Sequence, residues 1–391
     1  MKKIAKITVA LLLAVAMCFS LAGCYDEDLN WSAKYDETEL PAGAYIYYLS
    51  IAYNEAASKV STEDEVLKSE IDGTPAETWI KNRADEYVNQ YFYIQSEMKR
   101  LGLEMTDEDY STCLQTTENY WNYFGTSFEK FGIAKTSFDI AYSQYNRMYL
   151  KVFNALYGEG GENEVPESEL RQHIEDDYYD YEYFSAPLTK TDDDNKSVDL
   201  TDEEKADLKE TLEKYKTKIE AGAMTVNDAA TDYALKVQKD STYQTGIKDE
   251  NGMQSSYMPD AFVSAIKEMK EGDVEVVEST KYMIVLHRLP IKDDEDTLLE
   301  SSDNRSQLLL ELKNTEYADA VSAAAQSFEG VEWNQKVLNR YKPSMFADSS
   351  KNGTSSVASE SSESASSEES SAESSETSSE TSETSSESSA E

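Results

Sequence analysis

The stretch MPDAFVSAIKEMKEGDVEVVESTKYMIVLHRL, residues 258–289, changes its hydrophobic period partway along. Pro259 to Lys270 reads as a helix, and Gly272 stops it. Val274-Glu-Val-Val277 and Tyr282 to Leu289 are β-branched and apolar, so they read as a hairpin joined across Ser279-Thr280-Lys281. Upstream, Tyr179 to Leu188 is Tyr-rich and strand-like, and Asp192 to Leu200 is a polar loop. Thr201-Asp-Glu-Glu204 is a capping box. It opens a helix with Leu208, Leu212, Tyr215 and Ile219 on one face, ended by Gly222. A short helix, Val226 to Ala234, and a further polar loop follow. The order is strand, helix, helix, helix, strand, strand.

Helices flank this segment. Trp31 to Pro41 reads as a short strand and turn, and Ala42 to Ala57 as a helix with Tyr45, Leu49 and Tyr53 on one face. Thr74-Pro75-Ala76-Glu77 is a helix start with Thr74 as cap. Ile80, Ala84, Tyr87, Tyr91, Ile94, Met98 and Leu101 follow at alternating spacings of four and three, a packing seam. Thr106 with Asp109 caps a helix to about Phe124, and Thr136 with Asp139 caps another ending at Gly158. Pro166 to Tyr178 and Arg305 to Phe328 complete the helical set. Cys113 sits in an amphipathic helical stretch as a small buried hydrophobe.

The ordered set from Leu208 to Val285 resembles the parvulin (PpiC-type) peptidyl-prolyl isomerase domain. The matching pieces are the Leu208–Gly222 helix, the Val226–Tyr233 helix, Met258-Pro259-Asp-Ala-Phe262 with Met269 and Gly272, and Tyr282-Met283-Ile284-Val285. With Val165 to Tyr178 as lead-in, about residues 30–345 are similar to the PrsA/SurA foldases. The resemblance implies an α+β chain: a mainly helical body with an inserted parvulin-like domain around a four-stranded antiparallel sheet. It divides the chain into a helical domain (24–177), the inserted domain (178–292) and a C-terminal helix packing on the helical domain (293–348).

Prolyl isomerisation rotates an amide whose barrier is about 18–20 kcal/mol. The resemblance puts the proline ring on Met258 and Phe262, with Tyr282 beside them. The family's closing-strand His falls on Met283. Its first-strand His falls within Tyr181-Glu-Tyr183-Phe184, where Tyr181 and Tyr183 are the nearby residues and Tyr183 is the candidate, and the resemblance places the central acid or thiol at Asp240. The two His of the chain, His173 and His287, match neither position. The expectation is a foldase or chaperone for unfolded exported polypeptides, with isomerase activity weak or lost. The alternatives are an active isomerase using Tyr and Asp in place of the His pair, and a solute-binding lipoprotein. The latter calls for strand–helix units with Gly-rich turns, which 15 Gly in 391 residues argue against. Asp192-Asp-Asp194-Asn195 fails the calcium-loop pattern, since Lys196 and Ser197 follow where a ligand and Gly belong. No cofactor or metal is expected.

Lys2, Lys3 and Lys6, an apolar run from Val9 to Phe19, then Leu21-Ala-Gly-Cys24 read as a signal peptide over residues 1–23. The segment resembles a bacterial lipoprotein signal. That implies acylation at Cys24 and an anchor on the outer face of the cell membrane. Residues 349–391 hold 21 Ser, 10 Glu and 4 Thr without an aromatic, a composition that cannot bury enough apolar area to order itself. The net charge of −41 excludes a nucleic-acid binder, which needs a basic face.

Overall fold

The computed structural model describes residues 27–60, 63–236, 241 and 243–347. The signal segment with Cys24, Asp240 and the Ser/Glu tail lie outside the described residues. The fold is α+β, mainly helical with small antiparallel sheets. Two compact units divide after Phe153 and after Thr315, the described residues before and after the second both belonging to the first.

In the first unit, β1 (Trp31–Tyr35) and β2 (Thr38–Pro41) form a hairpin. Helix α1 (Ala42–Ser58) is apolar on nearly every side and buries 11 of its 17 residues, so it serves as the core helix. Strands β3 (Glu70–Ile71) and β4 (Thr74–Pro75) pair ahead of α2 (Ala76–Arg100). The expected Thr74 cap does not form. Thr74 pairs with Ile71, and Pro75 takes the cap position without a side-chain bond. The seam of α2 is buried at Ile80, Ala84, Tyr91, Ile94 and Met98 as the spacing predicts.

Helix α3 (Asp107–Lys130) opens on the Thr106–Asp109 capping box. It runs past Phe124 because packing there rewards continuation. Gly125 leaves room for the Trp121 indole, and Phe128 is buried against Phe138 at 5.0 Å. Helix α4 (Lys135–Phe138) starts at Ala134, not Thr136, and passes through a π turn (Asp139–Gln144) into α5 (Tyr145–Tyr157). Asp139 caps nothing. Its carboxylate accepts from Thr117 Oγ1 at 2.7 Å and Gln144 Nε2 at 2.6 Å, while Ser143 Oγ lies 2.7 Å from the same Thr117 hydroxyl. The wide turn thus brings two polar groups of one helix onto one hydroxyl of α3. Thr117→Val removes the donor to buried Asp139 Oδ1 and leaves only the Gln144 bond to Oδ2, so about 2 kcal/mol of unfolding free energy is lost. Urea unfolding followed by Trp fluorescence reads this, and a loss below about 0.5 kcal/mol rejects the network as a stabilising element.

The second unit begins within α5 and includes α6 (Glu167–Asp177). Strand β5 (Tyr179–Pro187) leads to a hairpin of β6 (Thr189–Thr191) and β7 (Ser197–Asp199), the second of which lies in the Asp192–Leu200 segment expected as loop. Asp192 Oδ1 accepts from the backbone N–H of Asp194 and Lys196 at 2.9 and 2.8 Å, which shapes the tip. The Thr201 capping box opens α7 (Asp202–Glu220) as expected. Helix α8 (Val226–Lys236) follows, then β8 (Tyr243–Lys248) and α9 (Glu250–Ser255), two elements in the stretch read as polar loop. Helix α10 (Asp260–Glu268) and the hairpin β9 (Val274–Glu278) and β10 (Tyr282–Leu289) complete the module. The sheet is antiparallel in the order β8-β5-β10-β9. This unit extends past the 178–292 segment at both ends.

Helices α11 (Ile291–Glu300) and α12 (Ser302–Gln326) follow, and the chain re-enters the first unit within α12. There β11 (Glu332–Trp333) pairs with β1, and Asn334 caps α13 (Gln335–Arg340). Phe346 is buried against Phe131 and Tyr53. Among the described residues no helix is long and apolar enough to cross a membrane.

Candidate functional site

The period-2 alternation of β5 and β10 sorts their side chains onto two faces. Tyr181 and Tyr183 of β5 join Ile284 and Leu286 of β10 on one face, under α9 and α10. Phe184, Ala186, Met283 and Val285 point to the other, under α7 and α8. The pairing Tyr183↔Leu286 and Phe184↔Val285 fixes this register.

On the first face Phe262 of α10 sits edge-on to two phenol rings, Tyr181 and Tyr183, each 5.2 Å away. Met258 lies at the entrance to α10, and the Tyr183 hydroxyl points at its Sδ at 3.9 Å. Met258 and Tyr183 are half-buried, whereas Phe262 is fully covered. Arg288 lies over the Tyr179 ring at 4.8 Å and donates to the Met269 and Ile266 carbonyls at 2.6 and 3.2 Å, which ties the end of α10 to β10. The Tyr181 ring lies over Gly246, where any Cβ would meet the phenol oxygen at 2.7 Å, and that hydroxyl is buried without a partner. Just ahead of Met258, Tyr257 is 94% exposed at φ 56°.

The structure therefore joins Met258, Phe262 and Tyr183. Tyr282 falls on the same face by register, at the exposed start of β10 opposite Pro187. Met283 does not join them. It is buried on the opposite face, because the strand period turns alternate side chains away. The chemistry of the first face is narrow. Beside the Arg288 guanidinium it carries phenols, and burial pushes the Tyr181 and Tyr183 hydroxyls above their ordinary range. At neutral pH they are neutral donors, unable to accept a proton as a base does.

The opposite face holds a polar group that the sequence pattern did not single out. His287 Nδ1 lies 2.8 Å from Glu182 Oε1, and Tyr243 donates to Glu182 Oε2 at 2.6 Å. Burial opposes ionisation of Glu182, but the His287 and Tyr243 bonds outweigh it and hold the carboxyl below its usual range. The pairing rests on His287 standing directly opposite Glu182, a register that no local signal carries. No group of three or more His, Cys, Asp or Glu residues suited to a metal ion occurs among the described residues.

No protein-family model matches this chain, and no curated protein does. Among solved structures it is similar to the foldase protein PrsA from Streptococcus pneumoniae. That match has 13% identity and a TM-score of 0.36, covering 68% of this chain and 90% of that one. It is also similar to the foldase protein PrsA from Lactococcus lactis (13% identity, TM-score 0.34, 81% of this chain and 98% of that one). PrsA from Bacillus subtilis matches at 15% identity and TM-score 0.29, over 71% of this chain and 93% of that one.

Proposed function

We propose that this chain is an extracytoplasmic foldase, anchored through a lipid on Cys24, which holds folding exported polypeptides and has weak or no prolyl isomerase activity. The observation that carries the reading is the first face of the sheet. Met258, Phe262 and Tyr183 stand together on one side of a β8-β5-β10-β9 sheet, and neither His of the chain belongs to that face: His287 bonds Glu182 on the opposite one, and His173 lies on α6. The open part of the first face, half-buried Met258 and Tyr183 with exposed Tyr257 and Tyr282, binds apolar and aromatic segments by burial. Catalysing amide rotation needs more: an open ring pocket and polar groups that follow the twisting amide. Here Phe262 is closed beneath two tyrosines, and their hydroxyls stay neutral, so neither serves as a base.

The chain from residue 24 onward is the material for the test. At near-stoichiometric ratio it slows aggregation of a chemically unfolded client, and it leaves the cis–trans relaxation of a proline tetrapeptide at the uncatalysed rate. Unchanged aggregation rejects the foldase reading and favours the solute-binding alternative. Rapid isomerisation with intact chaperoning assigns the chemistry to Tyr183 and Asp240 instead. In cells, Cys24→Ala abolishes incorporation of labelled palmitate, and persistent labelling rejects the anchor.

A further inference from the structure

His173 of α6 stands between two carboxylates from different helices. Its Nδ1 lies 2.9 Å from Asp177 Oδ2, one turn along α6, and its Nε2 lies 2.8 Å from Glu311 Oε2 on α12. A neutral imidazole carries one N–H, so it can satisfy one of these contacts while the other sets two lone pairs against each other. Only the imidazolium donates to both. We propose that His173 is a proton-operated latch, which fastens α12 to α6 when the imidazole is charged and loosens that contact when it is neutral.

The surroundings favour such a latch. The His173 side chain is 14% exposed and Glu311 22%, so water replaces the lost bonds poorly. Glu311 also accepts from the Tyr178 hydroxyl at 2.9 and 3.0 Å and from Gln307 Nε2 at 2.9 Å. The ring of Tyr178 meets His173 edge-on at 5.9 Å. Burial works against ionisation of Glu311, but the His173, Gln307 and Tyr178 bonds hold it below the usual carboxylate range, so it stays charged. Asp249, the cap of α9, adds negative charge toward both Glu311 and Tyr178. The bond to Glu311 leads in raising the His173 imidazole above its ordinary value, against the opposing effect of burial.

The other charged contacts between α6 and α12 are Lys313 with Glu169 at 3.1 Å and Arg305 with Glu167 at 3.7 Å. Toward α11, α6 presents Arg171 to Glu295 and Asp296, and Glu175 to Lys292. These pairs join Lys or Arg to carboxylates, so among the described residues His173 brings the one imidazole to the α6–α12 contact. The sign follows from linkage. A His whose folded value is raised gives its full stabilisation at pH below the ordinary His range, and that contribution is lost as pH rises through the raised value. A second acid-favoured contact lies elsewhere in the unit. Asp180 of β5 is 4% exposed, with one carboxylate oxygen unpartnered, and faces Asp294 of α11 with Glu182 nearby; burial and Asp294 raise it above the carboxylate range. A His173 variant leaves that pair intact.

The test is amide hydrogen exchange of residues 305–314 in the chain from residue 24 onward, corrected for intrinsic rates, at pH 6 and pH 9. The unmodified chain is expected to open α12 about tenfold more often at pH 9, the loss of one hydrogen bond to a charged group. In His173→Gln the ratio falls to about that of the Asp180 background, and in Glu311→Gln the His173 ring titrates back near the ordinary His value by NMR. The chain has only two His, so the two ring signals separate by substitution. An equal pH ratio in the unmodified chain and His173→Gln overturns the latch. So does a His173 signal that titrates at or below the ordinary value in the unmodified chain.

Discussion

Phe262→Ala lowers the stability of the second unit by about 4 kcal/mol, the middle of the range for deleting a buried aromatic ring. Phe262 has no exposed surface, and Met253, Val263 and Ile266 share its cluster. Two edge-on ring contacts, to Tyr181 and Tyr183, are lost with it, each about 0.5–1.5 kcal/mol beyond burial. Relaxation recovers little. Tyr181 is pinned over Gly246, and its hydroxyl already lacks a partner, so swinging into the vacancy brings it no new bond. Amide exchange of β5 and β10 through a denaturant series reads the loss. A change under about 1.5 kcal/mol shows that the cluster collapses freely and that α10 is not held by this ring. Phe262→Leu keeps most of the volume and loses about half as much.

Asp109→Ala removes about 3–4 kcal/mol from the first unit, the cost of breaking a buried ion pair from one side. The side chain is 3% exposed and does three jobs at once. It accepts from the Thr106 backbone N–H at 2.8 Å, closing the capping box of α3, and it takes Arg147 Nε and Lys151 Nζ of α5, each at 2.6 Å. Burial opposes its ionisation, but the Lys151, Thr106 and Arg147 bonds prevail and hold the carboxyl well below the usual range. A depressed folded value means stability that is present above about pH 4 and lost as pH falls below it. Asp109→Asn therefore flattens the acid limb of the unfolding profile as well as lowering stability at pH 7. Trp31, Trp79, Trp121 and Trp333 all belong to the first unit, so Trp fluorescence follows this transition. An acid limb unchanged in Asp109→Asn removes Asp109 from the account.

Much of this arrangement is legible along the chain. The capping boxes at Thr106 and Thr201 form as read, because a cap and its third residue meet through bonds three positions apart. Local rules fail where a distant partner competes. Thr74 gives up its cap to pair with Ile71, and Asp139 turns from a cap to Thr117, twenty-two residues earlier. Within the candidate site, Met258 and Phe262 meet as their spacing suggests, while Met283 faces away.

Composition and period alone determine the long helices, the alternation of β5 and β10, and that two tyrosines of β5 share a face, since these depend on bonds and burial within a few residues; the short β8 and α9 escape them. Tertiary structure alone decided three things: that 243–248 becomes an edge strand, that Glu182 meets His287, and that Phe262 ends beneath Tyr181 and Tyr183. Each depends on which strand lies beside which. That choice minimises exposed apolar surface over the whole unit, and no short window of residues contains it.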